Sequence, residues 1–200
     1  MKMQLQDIVD FCEGRLNGEE FGKALLEPGT EALFEDSPPI PPYTQSHAHG
    51  MVYYYLIEQD YKNIDNLLDI QDCLSQLLQK KGIGVARGNQ MDKLHSIAMD
   101  AQPAWLNAPG SYVSTLLKVL SGTDKEKRIA LKKLLLEKFR YMNKPPRWPH
   151  QSPALWPVVD NEPLLFVGQM DVTPLSHDLA QLYIFFDERD GSFKNIVQNR

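Results

Sequence analysis

The sequence has little cysteine and no long apolar run, and these absences exclude several classes of protein. Cys12 and Cys73 are too few for the disulfide framework of a small secreted domain, and their separation lacks the short spacing of a zinc site. The longest apolar stretches are far shorter than the about 18 consecutive residues of a membrane span. The N-terminus has neither the apolar core nor the cleavage site of a signal peptide. We therefore expect a cytoplasmic protein that does not contact a membrane.

Motifs of common enzyme and cofactor sites are also missing. The chain has no Gly-x-Ser-x-Gly nucleophile elbow. The glycines at 82, 84 and 88 miss the spacing of the dinucleotide-binding fingerprint, and they follow a helical pattern where that fingerprint needs a strand. We therefore predict a helix cap and a loop over residues 82–88, and no cofactor.

The histidines form no recognisable site in the sequence. His47 and His49 alternate, so their side chains point apart on a strand or a helix, and no third ligand lies nearby. His177 and Asp178 are adjacent, and adjacent side chains rarely face each other as an acid–base pair. We predict no metal site and no catalytic residue.

The net charge of −5 is unevenly distributed along the chain. Residues 1–122 hold a net charge of −7, whereas residues 123–143 hold a net charge of +4. Nucleic-acid affinity comes mainly from cations that neutralise phosphates, so an acidic body disfavours a nucleic-acid partner. Acidic surface can instead steer a basic protein partner, or it can serve solubility alone.

Helical periodicity dominates the first 143 residues. Apolar spacing predicts helices over 3–13, 19–26, 47–60, 64–81, 91–99, 111–120 and 124–142. Thr123 with Glu126 three residues later predicts a capping box at the start of the last helix. That helix carries a basic stripe, which suits a nucleic-acid surface, a solvated face or a face that packs against the acidic body. Its residues expected to point mainly inward are Ile129, Leu131, Leu134, Leu135, Leu136 and Phe139.

The pattern changes after residue 143. A proline-rich segment that cannot be helical leads into three strand patterns, over 163–169, 181–187 and 192–198. Asp190-Gly191 predicts a hairpin turn between the last two. The predicted fold class is α+β, with a mainly helical N-terminal region, 1–143, followed by a short antiparallel β module within 144–200. We expect the two to pack as one unit, since three strands alone are marginally stable.

The C-terminal residues resemble a known group of proteins. The segments that carry the resemblance are 144–148 (KPPRW), 156–157 (WP), 163–171 (PLLFVGQMD) and 182–187 (LYIFFD), together with Gln198. They are similar to the C-terminal part of small bacterial proteins found beside polymorphic-toxin genes, many regarded as immunity proteins, and to a wider bacterial family of cytoplasmic proteins of unknown function. The resemblance covers about 55 residues, and the helical region, including residues 40–43, matches only loosely. It implies a non-enzymatic protein that neutralises a toxin by binding it.

Aromatic and acidic side chains offer contacts for such a partner. Consecutive Tyr53, Tyr54 and Tyr55 fan across a helix, so at least one is expected to be exposed. Trp148 and Trp156 lie on stiff, proline-rich chain, where they suit either interface anchoring or packing in the seam between helices and sheet. The predicted partner-binding residues are Tyr53, Tyr54, Trp148, Trp156, Glu31, Glu35, Asp36, Glu58 and Asp60.

The function expected from these observations is that of a cytosolic immunity protein that occludes a cognate protein toxin. Two other functions stay open. One is an enzyme whose site assembles only in three dimensions, around His177, Asp178 and Gln169. The other is a nucleic-acid-binding or regulatory module that uses the helix at 125–140. The sequence leaves the identity of the toxin and the oligomeric state open.

Overall fold

The fold is α+β, as predicted. The computed structural model describes residues 3–35, 37, 51–149, 154–175 and 178–199. Over these residues the helices are α1 (Leu5–Cys12), α2 (Gly18–Leu25), α3 (Val52–Ile57), α4 (Ile64–Lys80), α5 (Gln90–Ala101), α6 (Gly110–Val119) and α7 (Asp124–Lys138), and short 3-10 turns cover Glu31–Phe34 and Thr173–Leu175. The strands are β1 (Val158–Val159), β2 (Glu162–Pro163), β3 (Leu165–Asp171), β4 (Ala180–Phe186) and β5 (Phe193–Asn199).

The chain divides into two compact units. Unit 1 is Met1–Ser96 and unit 2 is Ile97–Arg200, so the division falls within α5. It does not fall at residue 143, where the sequence changes from helical to proline-rich. The reason is that α6 and α7 share their core with the strands rather than with the helices of unit 1. Among the described residues, no helix is both long enough and apolar enough to cross a bilayer.

Helices α1 to α4 build the core of unit 1. The rings of Phe11 and Phe21 stack with their centroids 4.5 Å apart. Cys12 and Cys73 are both buried and free of disulfides. Burial raises the pKa of the Cys12 thiol to about 11 and that of Cys73 to about 12, so both cysteines remain protonated and pack as small apolar residues.

A buried glutamine ties the loop after α4 to the rest of unit 1. The Nε2 atom of Gln71 donates to the carbonyl oxygen of Cys12 at 2.6 Å, and its Oε1 accepts from Nε of Arg87 at 3.0 Å. The backbone N–H of Gly88 also donates to the Cys12 carbonyl, at 3.0 Å. The predicted cap and loop are confirmed, since the helix ends at Lys80, Lys81 is its C-cap, and Gly82 follows with a left-handed φ of 74°.

The β module of unit 2 shares one aromatic core with α6 and α7. The Trp156 ring is fully buried, and its centroid lies 5.5 Å from that of Phe139, just after α7, and 5.3 Å from that of Phe185 in β4. The indole N–H donates to the carbonyl oxygen of Leu164 at 2.8 Å. The strands are therefore stabilised by helices that precede them in the chain.

Helix α7 begins at the predicted capping box but buries a narrower face than expected. Leu131, Leu135 and Phe139 recur every four residues and are buried. Ile129 is 61% exposed and Leu136 is 49% exposed, so the prediction that both point inward is wrong. At about 100° per residue, these two side chains lie off the stripe that the buried residues define.

The basic residues of α7 pair in part with acidic residues of unit 2. Arg128 Nη2 lies 3.1 Å from an Asp100 carboxylate oxygen, and Lys138 Nζ lies 3.4 Å from one of Glu162. Arg140, just beyond the helix, pairs with Glu188. Part of the basic stripe is therefore paired with acidic side chains of its own unit.

Two antiparallel sheets form the β module. Strands β3, β4 and β5 make one sheet in that order, and the predicted turn at Asp190-Gly191 joins the last two, with Gly191 at a φ of 75°. Strands β1 and β2 form a second, short hairpin that the sequence did not predict. Its turn residues Asp160 and Asn161 both have positive φ, at 50° and 62°, which is typical of a type I′ turn.

Candidate protein-interaction surface

Seven of the predicted partner-binding residues belong to unit 1, and six of these are among the described residues. Glu31 opens the 3-10 turn and Glu35 follows it, while Tyr53 and Tyr54 belong to α3. The remaining two, Glu58 and Asp60, come directly after that helix. The Tyr53 ring contacts the Phe34 ring of the 3-10 turn, with centroids 5.8 Å apart. The structure therefore brings the 3-10 turn and α3 together on unit 1.

Helix α3 has one buried face and one exposed apolar face. Tyr55 and Leu56 are buried in the core of unit 1. Tyr54 is 47% exposed and Ile57 is 39% exposed, and residues three apart lie on the same side of a helix. Tyr53 is half-buried between them and the core, and its hydroxyl donates to the Leu25 carbonyl oxygen at 3.5 Å. The prediction of an exposed tyrosine in this run is confirmed for Tyr54.

A pocket lies between α2 and the residues that follow α3. Its volume is about 440 Å³, and Leu26, Ile57 and Tyr61 are among its lining residues. Leu26 is 70% exposed, although it directly follows the buried end of α2. We name Leu26, Tyr54, Ile57 and Tyr61, with this pocket, the α2–α3 surface.

Tyr61 is a fixed wall of that pocket. Its hydroxyl donates to the Leu56 carbonyl oxygen at 2.9 Å, and burial raises its pKa above the usual range. Gly22 allows the ring to lie against α2, since a Cβ atom at Gly22 would come within 2.8 Å of the ring. The wall therefore depends on a glycine in a helix interior, where glycine otherwise costs stability.

Acidic residues outnumber basic ones in unit 1, but the pocket of the α2–α3 surface has two of each charge among its lining residues. Glu19 and Asp60 line the pocket together with Lys23 and Lys62. The acidic excess comes from elsewhere in unit 1, where exposed acids include Glu31, Glu35 and Glu58. Residues 1–96 hold eight basic and 15 acidic side chains, a net charge of −7, whereas residues 97–200 hold 13 basic and 11 acidic side chains.

The two tryptophans of the prediction are not part of this surface. Trp156 is completely buried in unit 2, so its prediction as an exposed anchor is wrong. Trp148 is half-buried; its ring stacks on Tyr183 at 4.6 Å and its N–H donates to the Trp105 carbonyl oxygen at 3.0 Å. Both tryptophans therefore have the other role predicted for them, which is packing between helices and sheet. Asp36 lies outside the described residues.

Two of the residues that carry the resemblance, Gln169 and Tyr183, hydrogen-bond to the backbone of Arg147 in unit 2. Gln169 Oε1 accepts from the Arg147 backbone N–H at 2.6 Å, and the Tyr183 hydroxyl donates to the Arg147 carbonyl oxygen at 2.9 Å. The motif thus holds the proline-rich segment against β3 and β4, beside a cavity of about 360 Å³ lined in part by Lys144 and Arg147. Two residues of the predicted enzyme site can be compared with this arrangement. Gln169 is hydrogen-bonded to the Arg147 backbone, and His177 lies outside the described residues.

Sequence reasoning missed Leu26, Ile57 and Tyr61 as surface residues. A signal for one of them was present, because Ile57 follows Tyr54 at a spacing of three. Nothing in the sequence indicates that Leu26 is exposed, because Leu25 and Leu26 are adjacent leucines. The position at which α2 ends decides that Leu25 is the buried one.

Comparison with protein-family models, with curated proteins and with solved structures finds no match to this chain.

Proposed function

We propose that this protein binds a basic protein partner through the α2–α3 surface, and that the partner is a cognate bacterial toxin, neutralised in the cytosol by occlusion. The observation that carries the proposal is a pair of exposed apolar side chains at a pocket, Leu26 and Ile57, with exposed Tyr54 on the same side of α3 as Ile57, in a unit with a net charge of −7. Exposed apolar clusters with a polar rim are typical of protein-interaction sites.

The apolar and acidic residues have different roles in this proposal. Tyr54 and Ile57 supply anchors on a helix whose other face is packed in the core, so little conformational entropy is lost when they bind. Glu31, Glu35 and Glu58 attract a basic partner from a distance and accelerate its association. Occlusion requires binding alone and no chemical step on this chain.

The first experiment identifies the partner. The tagged protein is used for capture from the native bacterium, and a stoichiometric partner is identified by mass spectrometry. That partner is then expressed by itself and together with this protein. The proposal expects growth arrest in the first case and growth in the second. A partner that is harmless alone, or growth arrest that co-expression does not relieve, contradicts the toxin-neutralising role.

The second experiment locates the surface with the purified partner and isothermal titration calorimetry. Tyr54→Ala and Ile57→Ala each remove an anchor. At about 2 kcal/mol for an anchor, each should raise Kd about 30-fold. Leu175→Ala, which truncates an exposed leucine of unit 2, is the matched control and should leave Kd unchanged. Equal affinity for all three variants and the unsubstituted protein would exclude the α2–α3 surface.

A further inference from the structure

Strand β5 is an open edge of the three-stranded sheet in unit 2. It pairs with β4 over all seven residues, without a bulge, and no strand pairs with its other side among the described residues. Natural edge strands are commonly protected by proline, by bulges or by several charges. β5 has no proline, and its one charged residue is Lys194, near its start.

The backbone groups on this open edge belong to alternate residues of β5. The Asp187 N–H donates to the Ser192 carbonyl oxygen at 2.9 Å, so these two residues occupy a hydrogen-bonded position of the ladder, although the Asp187 carbonyl oxygen accepts from the Gly191 N–H in the turn. Such pairs alternate with non-hydrogen-bonded pairs along an antiparallel ladder. The next pair, Phe186 with Phe193, is therefore non-hydrogen-bonded. It follows that the N–H and C=O groups of Phe193, Asn195 and Val197 point away from β4.

The side chains of those same residues form an uncharged stripe. Phe193 is 63% exposed and Val197 is 59% exposed, and Asn195 lies between them on the same face of the sheet. Their partners on β4 across this face are Phe186, Ile184 and Leu182. In a chain with a net charge of −5, this stripe holds no acidic residue that would repel an identical copy.

We propose that β5 pairs antiparallel with β5 of a second copy of this chain, about a two-fold axis at Asn195. In this register Phe193 lies opposite Val197 of the other copy, and each Asn195 lies opposite its equivalent, so the outward-pointing backbone groups meet as hydrogen-bonded pairs. Lys194 then lies opposite Ile196, and no like charges face each other. The exposed apolar residues at both ends of the stripe gain cross-strand apolar partners.

A second copy suits this edge better than a basic partner does. The acidic excess that favours a basic protein belongs to unit 1, whereas residues 97–200 carry a net charge of +2. Self-pairing here does not depend on the function proposed for the α2–α3 surface, since it uses other residues.

Sedimentation equilibrium of the full chain, over a series from low to high micromolar concentration, tests the association. The unsubstituted protein should form dimers. Val197→Lys places a charge on the edge and should raise the dimer Kd at least about tenfold. The matched control is Val119→Lys, at an exposed valine in α6, which should dimerise as before. Circular dichroism checks that both variants fold. A monomer throughout the series, or dimers unaffected by Val197→Lys, would overturn the proposal.

Cross-linking tests the register. The Cα atoms of opposite residues in a hydrogen-bonded pair are about 5.5 Å apart, within the range of a disulfide. Asn195→Cys should therefore give a covalent dimer on mild oxidation, while the native cysteines are buried. Met170→Cys, on the same face but in β3, is the control and should not cross-link. Cross-linking through Met170→Cys instead would indicate that sheet faces stack, and would contradict edge pairing.

Discussion

At the scale of single residues, Trp156 determines how unit 2 is packed. It contacts an aromatic residue after α7 and aromatic residues of β3 and β4, namely Phe139, Phe166 and Phe185. Truncating a side chain of this size in a closed core leaves a cavity that the surroundings fill only in part. The tryptophan therefore joins two parts of the chain that differ in secondary structure.

Replacing this tryptophan should destabilise the protein strongly. Trp156→Ala is expected to cost about 3–5 kcal/mol, through lost burial and the cavity that remains. Urea denaturation followed by circular dichroism measures the free energy of unfolding. Met142→Ala, at an exposed apolar residue of the same unit, is the control and should have little effect. A loss below 1 kcal/mol for Trp156→Ala, on the order of a surface substitution, would contradict the buried position.

Asp187 provides a pH-dependent contact at the turn between β4 and β5. Its carboxylate accepts two hydrogen bonds from the Arg189 side chain, at 2.9 and 2.6 Å, and one from the Arg189 backbone N–H at 3.0 Å. The Arg189 side chain first, and then its backbone N–H, lower the pKa of Asp187 from 3.8 to about 2. A lowered pKa in the folded state stabilises the fold above the unfolded-state pKa.

The contribution of Asp187 should therefore disappear in acid. The stabilisation is complete above the unfolded-state pKa and is lost as pH falls from about 3.8 to about 2. Asp187→Asn should unfold at lower urea than the unsubstituted protein at neutral pH, and this difference should shrink across that window. Arg189→Ala should show the same trend, and the two substitutions should be non-additive. A pH-independent difference would exclude the ion pair as its cause.

At the scale of elements, the loop after α4 is held by close backbone contact. Gly88 donates its N–H to the Cys12 carbonyl, and a Cβ atom there would lie 2.7 Å from the carbonyl oxygen of Glu13. Gly84, in the same loop, has no heavy atom within 4 Å of that position. The two glycines therefore differ in the space that a Cβ atom would have, although both are simply loop glycines in the sequence.

This difference predicts opposite outcomes for one substitution in one loop. Gly88→Ala must displace the end of α1 and should cost about 1–3 kcal/mol, as overpacking does. Gly84→Ala meets open space and should leave stability unchanged or raise it by about 0.5 kcal/mol, because it restricts the unfolded chain. Thermal and urea unfolding of both variants give the comparison. Equal stabilities for the two variants would show that the loop does not pack on α1.

At the scale of the whole molecule, the charge is concentrated in unit 1, which also holds the α2–α3 surface. A net charge of −7 over residues 1–96 produces a field that attracts basic proteins and that salt screens. In the proposed complex, the charge would contribute to the association rate, and the apolar anchors would contribute to the lifetime of the complex.

This separation predicts how salt changes binding to the captured partner. The association rate constant should fall about tenfold or more from low to high ionic strength in stopped-flow measurements, whereas dissociation should change little. Replacing Glu31, Glu35 and Glu58 together with glutamine should flatten this dependence, while Tyr54→Ala should leave it intact and accelerate dissociation. An association rate that is independent of salt would exclude electrostatic attraction as a component of binding.

The sequence by itself determined the features that depend on neighbours along the chain. The cap at Thr123, the left-handed Gly82 after α4 and the turn at Asp190-Gly191 follow from local hydrogen bonding and backbone conformation, and each was predicted. The α+β order of helices and strands follows from apolar spacing for the same reason. Such signals extend over a few residues, so no long-range contact is needed to interpret them.

Only the tertiary structure decided which apolar residues are buried and which remain exposed. Trp156 could have been an anchor or part of the core, and long-range packing against Phe139 and Phe185 placed it in the core. Ile129 and Leu26 are as apolar as their buried neighbours, yet both are exposed in the part of the chain that the structure describes. The division within α5 is likewise set by the cores that form on either side of it. Burial depends on contacts between distant parts of the chain, and these contacts are properties of the folded molecule.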